Sequence, residues 1–222
     1  ETMTDVLGRY HFDQAWMSEY TITPYIENSE IIPVKQSVLV KNATVLTDFI
    51  VRPLWKRTYD IGGHDLVKDM ARTMRCGYVY AGRTDAEGSH GSFLLRVDAM
   101  GEMEWKKVYA HDRYLSANGV IALENGGFVI AGGKEVETKS GQMWLAWIDG
   151  NGSVLKEKTY GDSQWDEGFS IVRTSGGVVI AGTKEPLGNG KADIWSIGVN
   201  DEGNMLWQGQ YGGSYNEGMR RI

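Results

Sequence analysis

Two histidine–aspartate pairs, His64-Asp65 and His111-Asp112, are the residues of this chain best suited to chemistry. An imidazole held by a carboxylate serves both acid–base work and metal ligation. Adjacent residues on a strand or loop point in different directions, however, and the matching later stretches around Asp166 and Glu217 contain no histidine. What the later stretches share is polar groups beside an aromatic ring: Asp112, Arg113 and Tyr114, then Trp165, Asp166 and Glu167, then Tyr215, Asn216 and Glu217. Such groups hold a sugar by hydrogen bonds and ring stacking. The same residue types also build turns, where Asp, Asn and Ser tie up local backbone donors. The candidate ligand-binding set is His64, Asp65, His111, Asp112, Tyr114, Trp165, Asp166, Tyr215, Asn216 and Glu217. No catalytic residue, metal ligand or cofactor is assigned.

Three further motifs are read as architecture. Asp149-Gly-Asn-Gly-Ser153 places oxygens at alternate positions like the start of a calcium loop, but Tyr160 stands where the twelfth-position acid belongs. Its copy Asp98-Ala-Met-Gly-Glu102 loses those oxygens, so a hairpin turn is expected. Cys76 has no matching base in its surroundings and is not read as a nucleophile. Gly126-Gly127 and Gly176-Gly177 precede apolar strands rather than helices, so they are turns, not phosphate cradles.

Composition bounds the elements that must position these groups. The 222 residues are 41% hydrophobic and 23% charged, enough to bury a core. The 29 Gly against 4 Pro, with 8 Trp and 11 Tyr, point to many tight reversals between aromatic-rich strands. A single Cys excludes an internal disulfide framework and a Cys-based zinc cluster. With 23 Lys and Arg against 29 Asp and Glu, nucleic-acid binding through a basic surface is disfavoured. No run approaches the roughly 18 apolar residues of a membrane-spanning helix. The first residues lack a basic stretch followed by an apolar one, so any signal peptide is expected to have been removed or left out.

Internal repetition decides the architecture. Trp55-Lys-Arg-Thr-Tyr59 recurs as Trp105-Lys-Lys-Val-Tyr109, Lys156-Glu-Lys-Thr-Tyr160 and Trp207-Gln-Gly-Gln-Tyr211, at spacings of 50, 51 and 51 residues. Cys76-Gly-Tyr-Val-Tyr-Ala-Gly82 matches Gly126-Gly-Phe-Val-Ile-Ala-Gly132 and Gly176-Gly-Val-Val-Ile-Ala-Gly182. A third landmark, Phe93-Leu-Leu-Arg-Val-Asp98, returns as Trp144-Leu-Ala-Trp-Ile-Asp149 and, with one extra residue, Ile194-Trp-Ser-Ile-Gly-Val-Asn200. Each unit reads as four short strands; in the third they span 169–174, 178–182, 193–199 and 205–211. No segment of the repeated region keeps a helical period with caps.

Four-stranded antiparallel units of about 50 residues are what a β-propeller blade requires. The expected fold is therefore all-β: a propeller of such blades over residues 55–222, divided as 55–104, 105–155, 156–206 and a partial 207–222. Residues 1–54 are a β-rich N-terminal segment or divergent blade, with strands expected at 20–26, 31–40 and 44–51. The run Tyr160-Gly-Asp-Ser-Gln-Trp-Asp-Glu-Gly-Phe-Ser-Ile, followed by the Gly-Gly-Val-Val-Ile-Ala-Gly hairpin and by Gly203-Asn-Met-Leu-Trp207, resembles propeller-like repeats of secreted or cell-surface proteins of bacteria and archaea. That resemblance covers about three quarters of the chain and implies an extracellular or cell-surface location.

In such a fold the loops entering each unit share one face with the loops between second and third strands, which makes that face the expected binding surface. The expected function is a non-enzymatic, exported, rigid binding surface for a carbohydrate or protein partner, with no nucleic acid and no transmembrane segment. The alternatives are self-assembly as a structural subunit of a surface layer or filament, and a propeller-type enzyme with its site at the channel mouth.

Overall fold

The computed structural model describes residues 18–24, 29–32, 36–40, 50–53, 55–74, 77–88, 90–109, 112–137, 140–162, 164–185, 191–215 and 217. The chain divides into two compact units, Glu1–Lys56 and Arg57–Ile222. The described residues of the first carry four short strands, β1 (Ser18–Ile22), β2 (Ser29–Ile32), β3 (Gln36–Val40) and β4 (Ile50–Pro53). They pair antiparallel as β1 with β3 and β2 with β4. The single strand expected over 31–40 is thus two strands with different partners. Pro33 lies between them in sequence, and a residue without an N–H cannot continue a ladder.

The described residues of the second unit form three antiparallel four-stranded sheets. The first is β5 (Leu66–Arg72), β6 (Tyr78–Thr84), β7 (Gly91–Val97) and β8 (Met103–Tyr109). The second is β9 (Leu115–Ala122), β10 (Phe128–Glu137), β11 (Ser140–Ile148) and β12 (Val154–Tyr160). The third is β13 (Asp166–Thr174), β14 (Gly177–Lys184), β15 (Asp193–Asn200) and β16 (Met205–Tyr211). In each sheet the strands neighbour one another in chain order, because tight turns join them. The only helix among the described residues is one 3-10 turn, Ala86–Gly88, and none is long and apolar enough to cross a membrane.

The register repeats down to its irregularities. The first strand of each sheet has one extra residue, Lys68, Asn118 or Phe169, bulging out of the ladder with the second strand. The fourth strands bulge equivalently at Glu104, Leu155 and Leu206. The bulge in β13 explains why that strand begins at Asp166 rather than at residue 169: polar Asp166 and Glu167 join the ladder ahead of the irregularity. The glycine of each Ala-Gly pair is required by the same geometry. A Cβ on Gly82, Gly132 or Gly182 would lie 2.2, 1.7 or 1.9 Å from the carbonyl oxygen of Leu66, Ser116 or Glu167.

The third-to-fourth-strand turns are also one structure used three times. Gly101, Gly152 and Gly203 take φ of 75°, 84° and 86°, a left-handed conformation that favours glycine. Their N–H groups donate to the carbonyls of Asp98, Asp149 and Asn200. The Asp149 carboxylate accepts the N–H groups of Asn151 and Ser153 at 2.9 and 2.8 Å, so it is engaged in the turn, as Asp98 is in its own.

The sheets stack with β9 against β5 and β6 on one side and β13 on the other. Val79, Ala81 and Leu94 of the first sheet pack with Phe128, Ile130, Trp144 and Ile148 of the second. The opposite face of the second sheet, Val129, Leu145 and Trp147, packs with Ile171, Ile180, Trp195 and Ile197 of the third. Burial on both faces accounts for the nearly continuous apolar run of β11. A tyrosine pins each of the two steps between sheets, and a third, ahead of β5, bonds the first sheet's turn in the same way. Tyr59, Tyr109 and Tyr160 donate their hydroxyls to the turn carbonyls of Gly101, Gly152 and Gly203 at 2.7, 2.9 and 2.9 Å. Burial pushes the Tyr160 hydroxyl up to about 12 and raises Tyr109 further.

Candidate binding site

Among the described candidates, His64, Asp65, Asp112, Tyr114, Trp165 and Asp166 lie where the chain enters the first strand of a sheet, and the register sorts them into two groups. Asp65 and Asp166 hold equivalent places: Leu66 pairs with Arg83, which sets Asp65 beside Thr84, and Asp166 pairs with Lys184. Asp65 accepts the Ile61 N–H at 2.9 Å and the Thr84 hydroxyl at 2.6 Å. Asp166 accepts the N–H groups of Asp162 and Glu185 at 2.9 and 3.1 Å. Asp166 is fully buried, and that burial raises its pKa above the usual carboxylate value. Both carboxylates therefore fold the loop preceding their sheet.

In the second sheet the equivalent residue is Leu115, opposite Lys134, and its N–H donates to the His90 carbonyl at 3.0 Å. Asp112 is consequently not the counterpart of Asp65, despite the similar His-Asp dipeptides. His64 is exposed and its backbone N–H donates to the Asp85 carboxylate. His111, Asn216 and Cys76 lie outside the described residues.

The structure brings Tyr114 and Trp165 together at the junction of the second and third sheets, with ring centroids 5.3 Å apart and planes at 59°. Their hub is Glu167. One carboxylate oxygen accepts the Tyr114 hydroxyl at 2.7 Å and the Asn118 amide at 2.8 Å; the other accepts the Trp165 indole N–H at 3.4 Å. Asn118 also donates to the Gly168 carbonyl at 2.9 Å and accepts the Ser116 hydroxyl at 2.6 Å. Burial, and then the adjacent Glu167 charge, raise the Tyr114 pKa and keep it a hydroxyl donor. Trp165 lies against Gly141, where a Cβ would come within 2.9 Å of the indole. The Arg83 guanidinium stands 5.9 Å from the Tyr114 ring centroid.

Beside this cluster an open, polar hollow of about 370 Å³ is lined by Asp112, Arg113, Lys134, Glu135 and Val136. Glu135 links the two, since its carboxylate accepts the Tyr114 backbone N–H at 3.4 Å. The last candidate stretch stands apart beyond the third sheet: Tyr215 is exposed with Lys191 5.7 Å from its ring centroid, and the Glu217 N–H donates to the Ala192 carbonyl at 2.8 Å.

Glu167, Asn118, Arg83 and Glu135 were not in the candidate set, although Glu167 stands beside Trp165 and Asp166 in the polar stretch noted there. Asn118 carried one signal, a lone amide in the otherwise small and apolar Leu115-Ser-Ala-Asn-Gly-Val-Ile-Ala122, but only the bulge shows that it reaches the next sheet. Among the described residues no group of three or more His, Cys, Asp or Glu is placed to hold a metal ion. No protein-family model matches the chain, and no curated protein matches it either.

Proposed function

We propose that this chain is a non-enzymatic scaffold of the β-propeller type, exported to the cell surface or beyond it, that binds a carbohydrate at the junction of its second and third sheets. The observation that carries this reading is the Tyr114–Glu167–Trp165 cluster beside the hollow of Asp112, Arg113, Lys134 and Glu135. Two aromatic rings held by a shared carboxylate, next to both donors and acceptors, suit a polyhydroxylated ligand that needs a ring face and hydrogen bonds together. Their fixed orientation lowers the ordering cost of binding.

Binding is favoured over catalysis because three carboxylates at the entries to the first and third sheets are engaged within the fold: Asp65, Asp166 and Glu167 each accept two or more hydrogen bonds. The propeller reading is supported by three consecutive sheets of one topology, stacked first strand against first strand. Glycan-array screening followed by titration calorimetry tests the proposal. A bound glycan should lose roughly tenfold or more in affinity with Trp165→Ala, on the scale of an aromatic anchor. Absence of any glycan binding by the folded wild type would sink it.

A further inference from the structure

We infer that the exposed face of the third sheet is a docking surface for a further four-stranded sheet of this same repeat, approached through residues 212–217. The inference rests on the propeller reading proposed above, through how the existing sheets stack, and does not depend on what the loops bind.

Ser92 pairs with Tyr109, Met143 with Tyr160 and Ile194 with Tyr211, so the three tyrosines share one register position. Tyr109 and Tyr160 each donate to the turn glycine of the following sheet, and Tyr160 is only 8% exposed. Tyr211 is 63% exposed. Trp105 and Trp207 are likewise equivalent, opposite Arg96 and Gly198. Trp105 donates its indole N–H to the Gly150 carbonyl of the second sheet at 3.2 Å, whereas Trp207 is 48% exposed. On the first strands, Ile121 packs into the core between sheets, while Val172, which holds its place opposite the β14 valine, is 48% exposed. The third sheet thus repeats the contact set of a covered face with nothing covering it among the described residues.

Two details make this a shaped surface rather than a scatter of apolar groups. Trp207 lies over Gly198, where a Cβ would come within 2.2 Å of the indole nitrogen, so the absence of a side chain there seats the ring against the sheet. The chain leaving the third sheet also follows the path of the chain entering the second. Leu115 N–H bonds the carbonyl of His90, just before β7, and Glu217 N–H bonds the carbonyl of Ala192, just before β15. The register makes His90 and Ala192 equivalent, since the next residues, Gly91 and Asp193, face Thr84 and Lys184 at the ends of the second strands. At the first crossing this bond starts the next sheet. The occupant is therefore a sheet offering small or branched apolar residues on its first strand and an Asx-x-x-Gly turn with a free glycine carbonyl facing Tyr211.

The test is a chain in which residues 1–217 are followed by a duplicate of residues 167–211, compared with the natural chain. Trp207 is followed as the difference from Trp207→Phe. Docking predicts a monomer that unfolds in one transition at a higher temperature, with acrylamide quenching of Trp207 reduced severalfold. Tyr211→Phe in the extended chain should lower that temperature while leaving the natural chain's midpoint unchanged. An appended unit that stays unfolded, with Trp207 quenched as before, overturns the inference. It is also overturned if Trp207 in the natural chain is already shielded as a monomer, or becomes shielded only as the chain dimerises in sedimentation. Neither result bears on glycan binding, which is read by calorimetry at the Tyr114–Trp165 site.

Discussion

Replacing Tyr160 by Phe removes a single oxygen from the junction of the second and third sheets. The ring is 8% exposed and its hydroxyl donates to the Gly203 carbonyl at 2.9 Å, so the variant keeps the packing and loses the bond. A hydrogen bond of this kind contributes about 0.5–1.5 kcal/mol, and leaving a buried acceptor without a donor costs about 1–3 kcal/mol. Because Gly203 is buried beneath Trp147 and Lys158, the loss should be about 2 kcal/mol in urea unfolding at neutral pH. The alkaline limb gives an independent check. The Tyr160 hydroxyl is raised from 10.0 to about 12 by burial, so the native state holds this proton more tightly than the unfolded chain. Its stabilisation is complete below about pH 10 and is lost as pH rises towards about 12. The wild-type advantage over Tyr160→Phe should shrink across that window. An equally stable Phe variant at pH 7, or a difference unchanged between pH 9 and 12, would refute the view that this tyrosine pins the two sheets.

Gly132→Ala places a Cβ 1.7 Å from the Ser116 carbonyl oxygen and should cost about 3 kcal/mol in denaturant unfolding, since backbone must move. Gly176→Ala meets nothing within 4 Å and should leave stability unchanged or raise it by about 0.4–1 kcal/mol. Asp166 carries a pKa raised by burial, so its contribution is fully present below the usual carboxylate value and is lost as pH rises through the native one. Thermal midpoints measured from pH 3 to 8 should therefore show wild type losing ground to Asp166→Asn on going up in pH; parallel curves would contradict it.

The three sheets were legible in the sequence because their determinants are local. Hairpins need glycine at particular turn positions, and an outer-strand aromatic marks each unit, so a period of 50 or 51 residues survives in one dimension. The strands expected in the third unit at 178–182, 193–199 and 205–211 match β14, β15 and β16 to within two residues at each end. The start of β13 was not legible: Asp166-Glu167-Gly168 reads as loop until the bulge at Phe169 restores its pairing. Nor was the division among the candidates. His64-Asp65 and His111-Asp112 look alike as dipeptides, yet register places Asp65 with Asp166 and puts Leu115 in the corresponding place between them.

Composition and periodicity were sufficient for the all-β class, the four-strand unit and the turn glycines, since each follows from steric limits on a few neighbouring residues. Which groups meet was decided by stacking. Glu167 joins Tyr114, Asn118 and Trp165 across 53, 49 and 2 residues of chain, and the first two contacts exist because one sheet is laid against the next. Tyr160 and Tyr211 show the same division of labour: they are one residue type at one register position, 8% and 63% exposed. A strand's own residues determine which side chains face outward, but only the neighbouring sheet determines whether that face is core or surface.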